Sequence, residues 1–135
     1  MDLNRKKFET EVDGKKLVIE TSRLAEQANA AVIATWGGTT VLATAVMTGE
    51  DSPREYLPLS VEFEERFDAA GKILGGRYMR REGRASENAI LSARIIDRTI
   101  RPLFDQRVRR DIQVVITVLS YEEESSPVTL GLVAA

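Results

Sequence analysis

The side chains best suited to bind a ligand lie in one glycine-rich stretch near the middle of the chain. The eight residues from Arg77 to Arg84 include four arginines, one glutamate and one aromatic residue, Tyr78. Arginine can bind a phosphate through two parallel N–H donors, and an aromatic ring offers a face on which a base stacks. A solvated surface loop, in which arginine only aids solubility, is the alternative. The mixture of positive charge and aromatic surface favours single-stranded nucleic acid as the ligand.

A second group of arginines lies on the helix predicted after this stretch. Arg94, Arg98 and Arg101 are spaced by four and three residues, which places them on one face of a helix. Arg84 precedes the helix N-terminus, where free N–H groups and the helix dipole attract phosphate. Asp97 is close enough in sequence to pair with Arg94 or with Arg101. We predict that Arg94 lies in solvent or in an ion pair, and that Arg98 and Arg101 are candidate phosphate or RNA ligands.

A serine pair before the last predicted helix is a further candidate phosphate site. Ser125 and Ser126 precede Pro127, and hydroxyls combined with free N–H groups at the start of a helix can hold a small oxyanion. The alternative is structural, because serine is a common N-cap residue and proline is favoured at the first helical position. The structural role is favoured here, and phosphate binding is kept as a second hypothesis.

Two other patterns are rejected as sites. Gly71-Lys72 resembles part of a phosphate-binding loop, but Ile73 stands where that loop requires serine or threonine. Glu62 and Glu64 share one face of a predicted strand, where alternating acids usually form the solvent-facing side. We therefore predict no metal site in this chain.

The composition limits the chemistry that the chain can perform. No histidine and no cysteine occurs among its 135 residues, which excludes histidine bases, cysteine nucleophiles and zinc sites built from either. The segment from Arg66 to Arg110 holds 12 basic and 5 acidic residues, although the net charge of the whole chain is −2. A basic middle within an acidic chain indicates a localised anion site.

The same composition predicts one globular domain spanning residues 1–135, with 43% apolar and 30% charged residues. No apolar run reaches the ~18 residues that a membrane-spanning helix needs. The basic residues at the start of the chain are not followed by an apolar stretch. We therefore predict no signal peptide, no membrane partner and a cytoplasmic location.

The hydrophobic pattern predicts strands first and then a mixture of strands and helices. Alternating or continuous apolar segments predict strands at Phe8–Val12, Lys16–Thr21, Ala31–Trp36, Thr39–Thr48, Leu57–Glu65 and Asp111–Tyr121. Asp13-Gly14 and Gly37-Gly38 predict hairpin turns, and a short helical turn is expected from Ser22 to Gln27. The last strand is apolar enough to be buried on both faces.

The main helix is predicted to begin after Ser86 as its N-cap and to close at Pro102, which disfavours the helical conformation at Arg101. Its core face is predicted to comprise Ala89, Ile90, Ala93, Ile96 and Ile100. Residues 66–85 have no period and contain four glycines, which predicts a long loop. Pro127–Ala135 begins an apolar helix that looks cut at its end. We therefore expect an N-terminal fragment whose last helix is incomplete and which is marginally stable or self-associating alone.

Four runs of residues together carry a resemblance to a known family. They are Gly37–Leu42, Ala69–Ile73, Arg80–Glu87 and Arg94–Phe104. These runs closely resemble the first core domain of the bacterial polynucleotide phosphorylases, also called polyribonucleotide nucleotidyltransferases. The resemblance extends from about Phe8 to the end of the chain, and its motifs are long and specific.

The resemblance implies an α+β fold of the ribonuclease PH-like (ribosomal protein S5 domain 2-like) kind, with a mixed sheet packed against helices. It also implies 3′-to-5′ phosphorolysis, in which inorganic phosphate attacks RNA and releases nucleoside diphosphates with the help of Mg²⁺. The full enzymes form a homotrimeric ring and add a second core domain with KH and S1 domains. In bacterial members that second core domain holds the phosphate site and the catalytic aspartates, so the resemblance implies no catalytic residue in this chain.

The family's channel loop, Phe-Phe-Arg-Arg, falls on Tyr78, Met79, Arg80 and Arg81. Arg84 matches the arginine that contacts phosphate near the reacting end of RNA in ribonuclease PH. The sequence departs from the family pattern because Met79 replaces an aromatic residue, which weakens stacking there, and Arg77 is an extra residue. Ser125 and Ser126 fall near the serine-containing phosphate turn of the catalytic domains, but the acids that follow that turn are absent.

We therefore predict an RNA-guiding core domain of a phosphorolytic exoribonuclease, which takes part in RNA processing and mRNA degradation but is inactive alone. One alternative is a short trimming subunit of the ribonuclease PH type within a homo-oligomer. Another is an RNA-binding domain that is used alone. An unrelated α+β protein with an arginine-rich surface is the last alternative, and the length of the motifs disfavours it.

Overall fold

A single six-stranded sheet forms the frame of the molecule. A computed structural model of the chain describes residues 6–21, 24–73, 75, 78 and 83–135. The strands are β1 (Lys6–Val12), β2 (Lys15–Thr21), β3 (Ala30–Trp36), β4 (Thr39–Asp51), β5 (Leu59–Glu64) and β6 (Arg110–Ser120), and the helices are α1 (Glu87–Ile100) and α2 (Pro127–Ala134). The strand order is β1-β2-β3-β4-β6-β5. All neighbouring strands are antiparallel except β5 and β6, which are parallel and connected through α1.

The two predicted hairpin turns are confirmed, and each depends on residues that accept a positive φ. Asp13 and Gly14 have φ of 54° and 70° and join β1 to β2 with Val12 opposite Lys15. Gly37 has φ of 59° and joins β3 to β4. Glycine adopts such angles without the steric cost that a Cβ atom brings. The two short turns therefore set the register of β1 against β2 and of β3 against β4.

Helix α1 begins and ends where the sequence predicts. The Ser86 side chain caps its N-terminus by accepting a hydrogen bond from the Ala89 N–H at 3.0 Å. The helix ends at Ile100 and a 3₁₀ turn, Arg101–Leu103, follows it. The prediction that Pro102 keeps Arg101 out of the helical conformation was wrong, because Arg101 has φ −53° and ψ −42°. The 3₁₀ turn accommodates the proline near its own start, where no N–H donor is needed.

The core lies between the two helices and one face of the sheet. Helix α1 packs on β5, and α2 packs on β3 and β4. Ile96 of α1 and Ile116 of β6 are both fully buried. Gly131 lets α2 approach the sheet closely, since a Cβ atom there would lie 3.1 Å from the Ile116 Cγ2 atom and 3.2 Å from the Phe63 ring.

The prediction that the last strand is buried on both faces was wrong. Ile112, Val114, Ile116 and Val118 of β6 are buried against the helices, whereas the alternate residues are exposed or half-buried. An apolar strand is buried twice only where a second layer covers its other face. No described element covers that face.

Two further local predictions differ from the structure. Ile90 was predicted to face the core, but it is 48% exposed. The helical turn predicted from Ser22 to Gln27 is replaced over residues 24–27 by bends and a turn, and Ser22 lies outside the described residues. The described part of the long loop predicted after β5 contains a 3₁₀ turn, Asp68–Ala70. Among the described residues, no helix combines the length and the apolar character needed to cross a membrane.

Candidate nucleic-acid interface

A groove lies between strand β5 and helix α1. The segment that follows β5, residues 65–73, forms one rim, and residues 83–86 before α1 form another. Its floor is apolar and includes Phe63, Ala89, Ala93 and the half-exposed Ile90. An apolar floor with polar rims suits a ligand that has both flat apolar and charged parts.

Hydrogen bonds fix the rims to the sheet and to α1. The Ser86 hydroxyl donates to a Glu65 carboxylate oxygen at 2.6 Å while it caps α1, so the start of the helix is tied to the end of β5. On the opposite rim, the Tyr121 N–H donates to the Ala69 carbonyl oxygen at 3.1 Å. The 3₁₀ turn that precedes Lys72 is thereby anchored to the end of β6.

Positive charge without a partner is concentrated at this groove. Lys72, Arg84 and Arg94 all line it and are exposed. None of their three side chains has an ion pair or hydrogen bond with a described residue. Across the described part of the chain, the only other lysine or arginine side chains in that state are Lys6 and Arg98. The remaining ones contact carboxylates or carbonyl oxygens.

Five carboxylates also line the groove, and two of them are paired with arginine. Glu64 accepts hydrogen bonds from Arg66 at 2.9 Å and from the Thr117 hydroxyl at 3.0 Å. Asp97 is paired with Arg101, and Glu65 accepts from Ser86. Asp68, on the rim, has no ion pair within the described residues. Glu62 and Glu65 accept hydrogen bonds only from a neutral amide and a neutral hydroxyl, so both keep their negative charge, as does Asp68. Among the described lining residues, three cations and three carboxylates therefore lack an oppositely charged partner. Phosphate binding in this groove depends on direct contacts with Lys72, Arg84 and Arg94.

The predicted channel loop is only partly within the described residues. Tyr78 is 93% exposed, so its ring is free to stack. Met79, Arg80 and Arg81 lie outside the described residues, and their predicted role stays a prediction. Arg84 lies on the groove rim just before the N-terminus of α1. The structure therefore shows where the Arg84 side chain lies, while its contact with phosphate stays a prediction.

The two helical arginines predicted as ligands lie in different settings. Arg98 is exposed on α1 and does not line the groove. Arg101 donates from its guanidinium to both oxygens of Asp97, at 2.6 and 3.1 Å, and to the carbonyl oxygens of Leu57 and Leu59, at 3.2 and 3.0 Å. Four of its donor hydrogens are thus used within the fold, which disfavours the predicted phosphate contact.

The Ser125 hydroxyl is fully buried and engaged with neighbouring side chains. It donates to a Glu122 carboxylate oxygen at 3.3 Å and accepts a hydrogen bond from the Lys15 ammonium at 3.1 Å. The same Glu122 oxygen accepts the Gly38 N–H at 2.8 Å, and this bond is the main reason why the pKa of Glu122 is lowered. The Ser125 hydroxyl is therefore engaged by the protein's own carboxylate, which disfavours the phosphate contact predicted for it.

Ser126 caps helix α2. Its hydroxyl oxygen accepts a hydrogen bond from the Thr129 N–H at 3.4 Å, and Pro127 occupies the first helical position. The structural role that the sequence favoured for this serine is thus observed. Because the Ser126 hydroxyl is engaged as the helix cap, its geometry does not support the hypothesis that it binds phosphate.

Lys72 and Arg94 are the groove residues that sequence reasoning missed. Lys72 was considered in a rejected phosphate-binding loop and in a run that resembles the family, but not as a ligand, and Arg94 was expected in solvent or in an ion pair. The signal for Arg94 was available in part, since Asp97 is spaced to reach Arg101 as well as Arg94. For Lys72 the sequence contained no signal, because the anchoring bond from Tyr121 joins residues that are far apart along the chain.

The described residues do not fit a magnesium site. Among them, no group of three or more acidic, histidine or cysteine side chains lies close enough together to hold a metal ion. Glu62 accepts a hydrogen bond from Gln113 at 3.1 Å, and Glu64 is occupied by Arg66 and Thr117. The Mg²⁺ ion that the family resemblance implies therefore finds no ligand set in the described part of this chain.

Solved structures support the fold assigned here. Rice (Oryza sativa) Rrp46 superposes with a TM-score of 0.60 at 12% identity, over 97% of this chain and 52% of that protein. The Archaeoglobus fulgidus exosome, solved with RNA bound to its active site, superposes with a TM-score of 0.58 at 17% identity, over 97% and 48% of the two chains. The α+β, ribonuclease PH-like fold predicted from the sequence is confirmed.

Sequence comparison gives closer relatives. The polyribonucleotide nucleotidyltransferase of Pseudothermotoga lettingae is 52% identical over 133 residues, which is 96% of this chain and 18% of that protein. The enzyme of the same name from Exiguobacterium sibiricum is 47% identical over 135 residues, again 18% of its length. The chain thus spans about a fifth of the length of these relatives. The family model described as "3′ exoribonuclease family, domain 1" matches residues 13–135, and the chain belongs to that family.

Proposed function

We propose that this chain is an RNA-guiding core domain of a phosphate-dependent 3′-to-5′ exoribonuclease of the polyribonucleotide nucleotidyltransferase kind. About half of its residues are identical to those of enzymes with that name, which supports this class of reaction. In the whole enzyme, inorganic phosphate is the co-substrate and nucleoside diphosphates are the products. The proposed ligand of this chain is single-stranded RNA.

One observation carries the guiding role. Three exposed cations without partners among the described residues, Lys72, Arg84 and Arg94, line the same groove. Because no described carboxylate pairs with these three side chains, their N–H donors are available to the phosphates of a bound strand. Arginine and lysine bind phosphate oxygens by charge-assisted hydrogen bonds, and exposed aromatic rings such as that of Tyr78 stack on bases.

The chain acts as a guide and leaves the chemistry to another part of the enzyme. The buried Ser125 hydroxyl is engaged by Glu122 and Lys15, which leaves no free hydroxyl there to bind the attacking phosphate. We propose that the phosphate, the Mg²⁺ and the catalytic acids are held in a second core domain. Assembly as a homotrimer with KH and S1 domains, and a cytoplasmic location, belong to the same proposal.

RNA binding at several salt concentrations tests the guiding role. The Arg80→Ala/Arg81→Ala/Arg84→Ala variant removes three proposed phosphate contacts, and each contact contributes about 0.7 to the salt slope on single strands. We expect the slope of log affinity against log salt to fall by roughly 2. The measurement is fluorescence anisotropy of a short labelled oligoadenylate titrated with the 135-residue chain.

A charge-matched variant serves as the control. Arg54, Arg107 and Arg110 are each paired with an aspartate outside the groove, so their triple replacement by alanine removes the same charge from other surfaces. Its slope should stay close to that of the unmodified chain. If the two triple variants lose the same slope, general charge attraction explains the binding and the guiding role is wrong.

The chain is expected to be inactive in phosphorolysis by itself. Highly purified protein supplied with RNA, inorganic phosphate and Mg²⁺ should release no nucleoside diphosphates, as measured by ion-exchange chromatography of the products. The physical reason is that the Ser125 hydroxyl donates to Glu122 and accepts from Lys15, so it is not free to bind the attacking phosphate. Release of nucleoside diphosphates would contradict the guiding role and would favour a ribonuclease PH-type trimming subunit.

A further inference from the structure

We propose that Arg94 binds an RNA phosphate in the groove, and that the ion pair of Asp97 with Arg101 keeps Arg94 available for it. The proposal rests on the proposed function and adds to it a binding residue and a positioning residue. Arg94 is the binding residue. Arg101 is the positioning residue, since it acts on RNA only by holding Asp97.

Asp97 has two arginines within reach on the same helix. It follows Arg94 by three residues and precedes Arg101 by four, and both spacings bring side chains together on a helix. In the structure only one of the two pairs forms. Both Asp97 oxygens accept hydrogen bonds from Arg101, at 2.6 Å from Nη2 and at 3.1 Å from Nε.

The preference for Arg101 has a physical cause. Its guanidinium also donates to the carbonyl oxygens of Leu57 and Leu59, at 3.2 and 3.0 Å, at the start of β5. The group is therefore already held in position beside the helix when it meets Asp97. Arg94 has no such second anchor within the described residues, so a pair with Arg94 would have to order an exposed side chain at an entropic cost.

The consequence is a change in the charge that the groove presents. With Asp97 held by Arg101, Arg94 is exposed and unpaired on the groove side of α1, in the same groove as Lys72 and Arg84. A carboxylate released from Arg101 would neutralise Arg94 and repel the phosphates of a bound strand. Through its pair with Asp97, Arg101 has a structural role, and Arg94 on the same helix stays available to bind phosphate.

Four variants test the two roles through the salt dependence of oligoadenylate binding. Arg94→Ala should lower the salt slope by about 0.7, the value for one phosphate contact on a single strand. Arg101→Gln frees Asp97 and should lower the slope to the Arg94→Ala value. Adding Asp97→Asn to Arg101→Gln should restore the slope of the unmodified chain. Arg101→Lys keeps a cation beside Asp97 and should also preserve the slope.

Lys6→Ala is the matched control, because Lys6 is an unpaired, exposed lysine on β1, at the opposite edge of the sheet from the groove. If Arg94→Ala behaves like Lys6→Ala, Arg94 is not a phosphate ligand and the proposal is wrong, whatever the Arg80/Arg81/Arg84 variant shows. If the double variant stays as weak as Arg101→Gln, Arg101 does not act through Asp97 and its positioning role is wrong.

A second route covers the case in which Arg101→Gln fails to fold. Leu91→Glu places a free carboxylate three residues before Arg94, at an exposed position that does not line the groove, and leaves Arg101 untouched. It should lower the slope to the Arg94→Ala value, whereas Leu91→Gln should leave the slope unchanged. Equal slopes for the two Leu91 variants would overturn the claim that a free carboxylate prevents Arg94 from binding phosphate.

Discussion

Replacing Ile96 by alanine is expected to lower the free energy of unfolding by about 2–5 kcal/mol, the range for emptying a fully buried aliphatic site. Ile96 is completely buried on the core side of α1. Its Cδ1 atom lies 3.6 Å from the position that a Cβ atom on Gly131 would take, so it fills space where α2 also approaches. The loss should appear as a lower midpoint in urea-induced unfolding followed by circular dichroism.

Ile95→Ala provides a matched control one residue away. Ile95 lies in the same helix and is 55% exposed, so the substitution removes the same atoms and changes helix propensity equally. We expect it to change stability by less than about 0.5 kcal/mol, as is usual for surface positions. Similar losses for the two variants would show that α1 does not pack on the sheet through Ile96 in solution.

Replacing Gly37 by alanine is expected to be the most damaging of the glycine substitutions in the hairpin turns. A Cβ atom at Gly37 would lie 2.6 Å from the Glu122 Oε2 atom and 2.8 Å from the Ser125 Oγ atom. One of these groups must move, which leaves the buried Ser125 hydroxyl without its acceptor, Glu122. The loss should exceed that of simple backbone strain by about 1–3 kcal/mol, the cost of an unsatisfied buried polar group.

Gly14→Ala isolates the backbone part of this effect. Gly14 has φ of 70°, close to the 59° of Gly37, but a Cβ atom there meets nothing within 4 Å. Its replacement should cost about 1–2 kcal/mol, the penalty of the left-handed conformation alone. Thermal and urea unfolding of both variants give the comparison. Equal losses would show that the turn does not press against Glu122 and Ser125.

The sequence predicted best the features that depend on neighbouring residues. The turns at Asp13-Gly14 and Gly37-Gly38, the Ser86 cap and the end of α1 at Ile100 each follow from local stereochemistry, and all were confirmed. Burial was predicted less well, because it depends on which layers meet. The apolar run of β6 does not reveal that only one of its faces is covered, and α1 carries isoleucines on opposite sides, so spacing alone could not show that Ile90 is exposed.

The sequence predicted that the chain has an anion-binding site, but it did not identify all the residues that form the site. The arginine-rich composition indicated an anion site, and Arg84 lies on the groove rim as that composition suggests. The sequence could not show that Arg101 reaches the Leu57 and Leu59 carbonyl oxygens, because those contacts join residues more than forty positions apart. For the same reason it could not show that the Ser125 hydroxyl is held by Lys15, which is 110 residues away.

The position of β6 between β4 and β5 has a consequence for the growing polypeptide on the ribosome. Among the described strands, β5 has one neighbour, β6, which is the last of them in sequence order. Synthesis proceeds from the N-terminus, so the basic segment and α1 emerge before residues 110–120 exist to hold β5 in the sheet. The anchor of the Lys72 rim, Tyr121, is made later still. A nascent chain therefore exposes its arginines before it has the groove that arranges them.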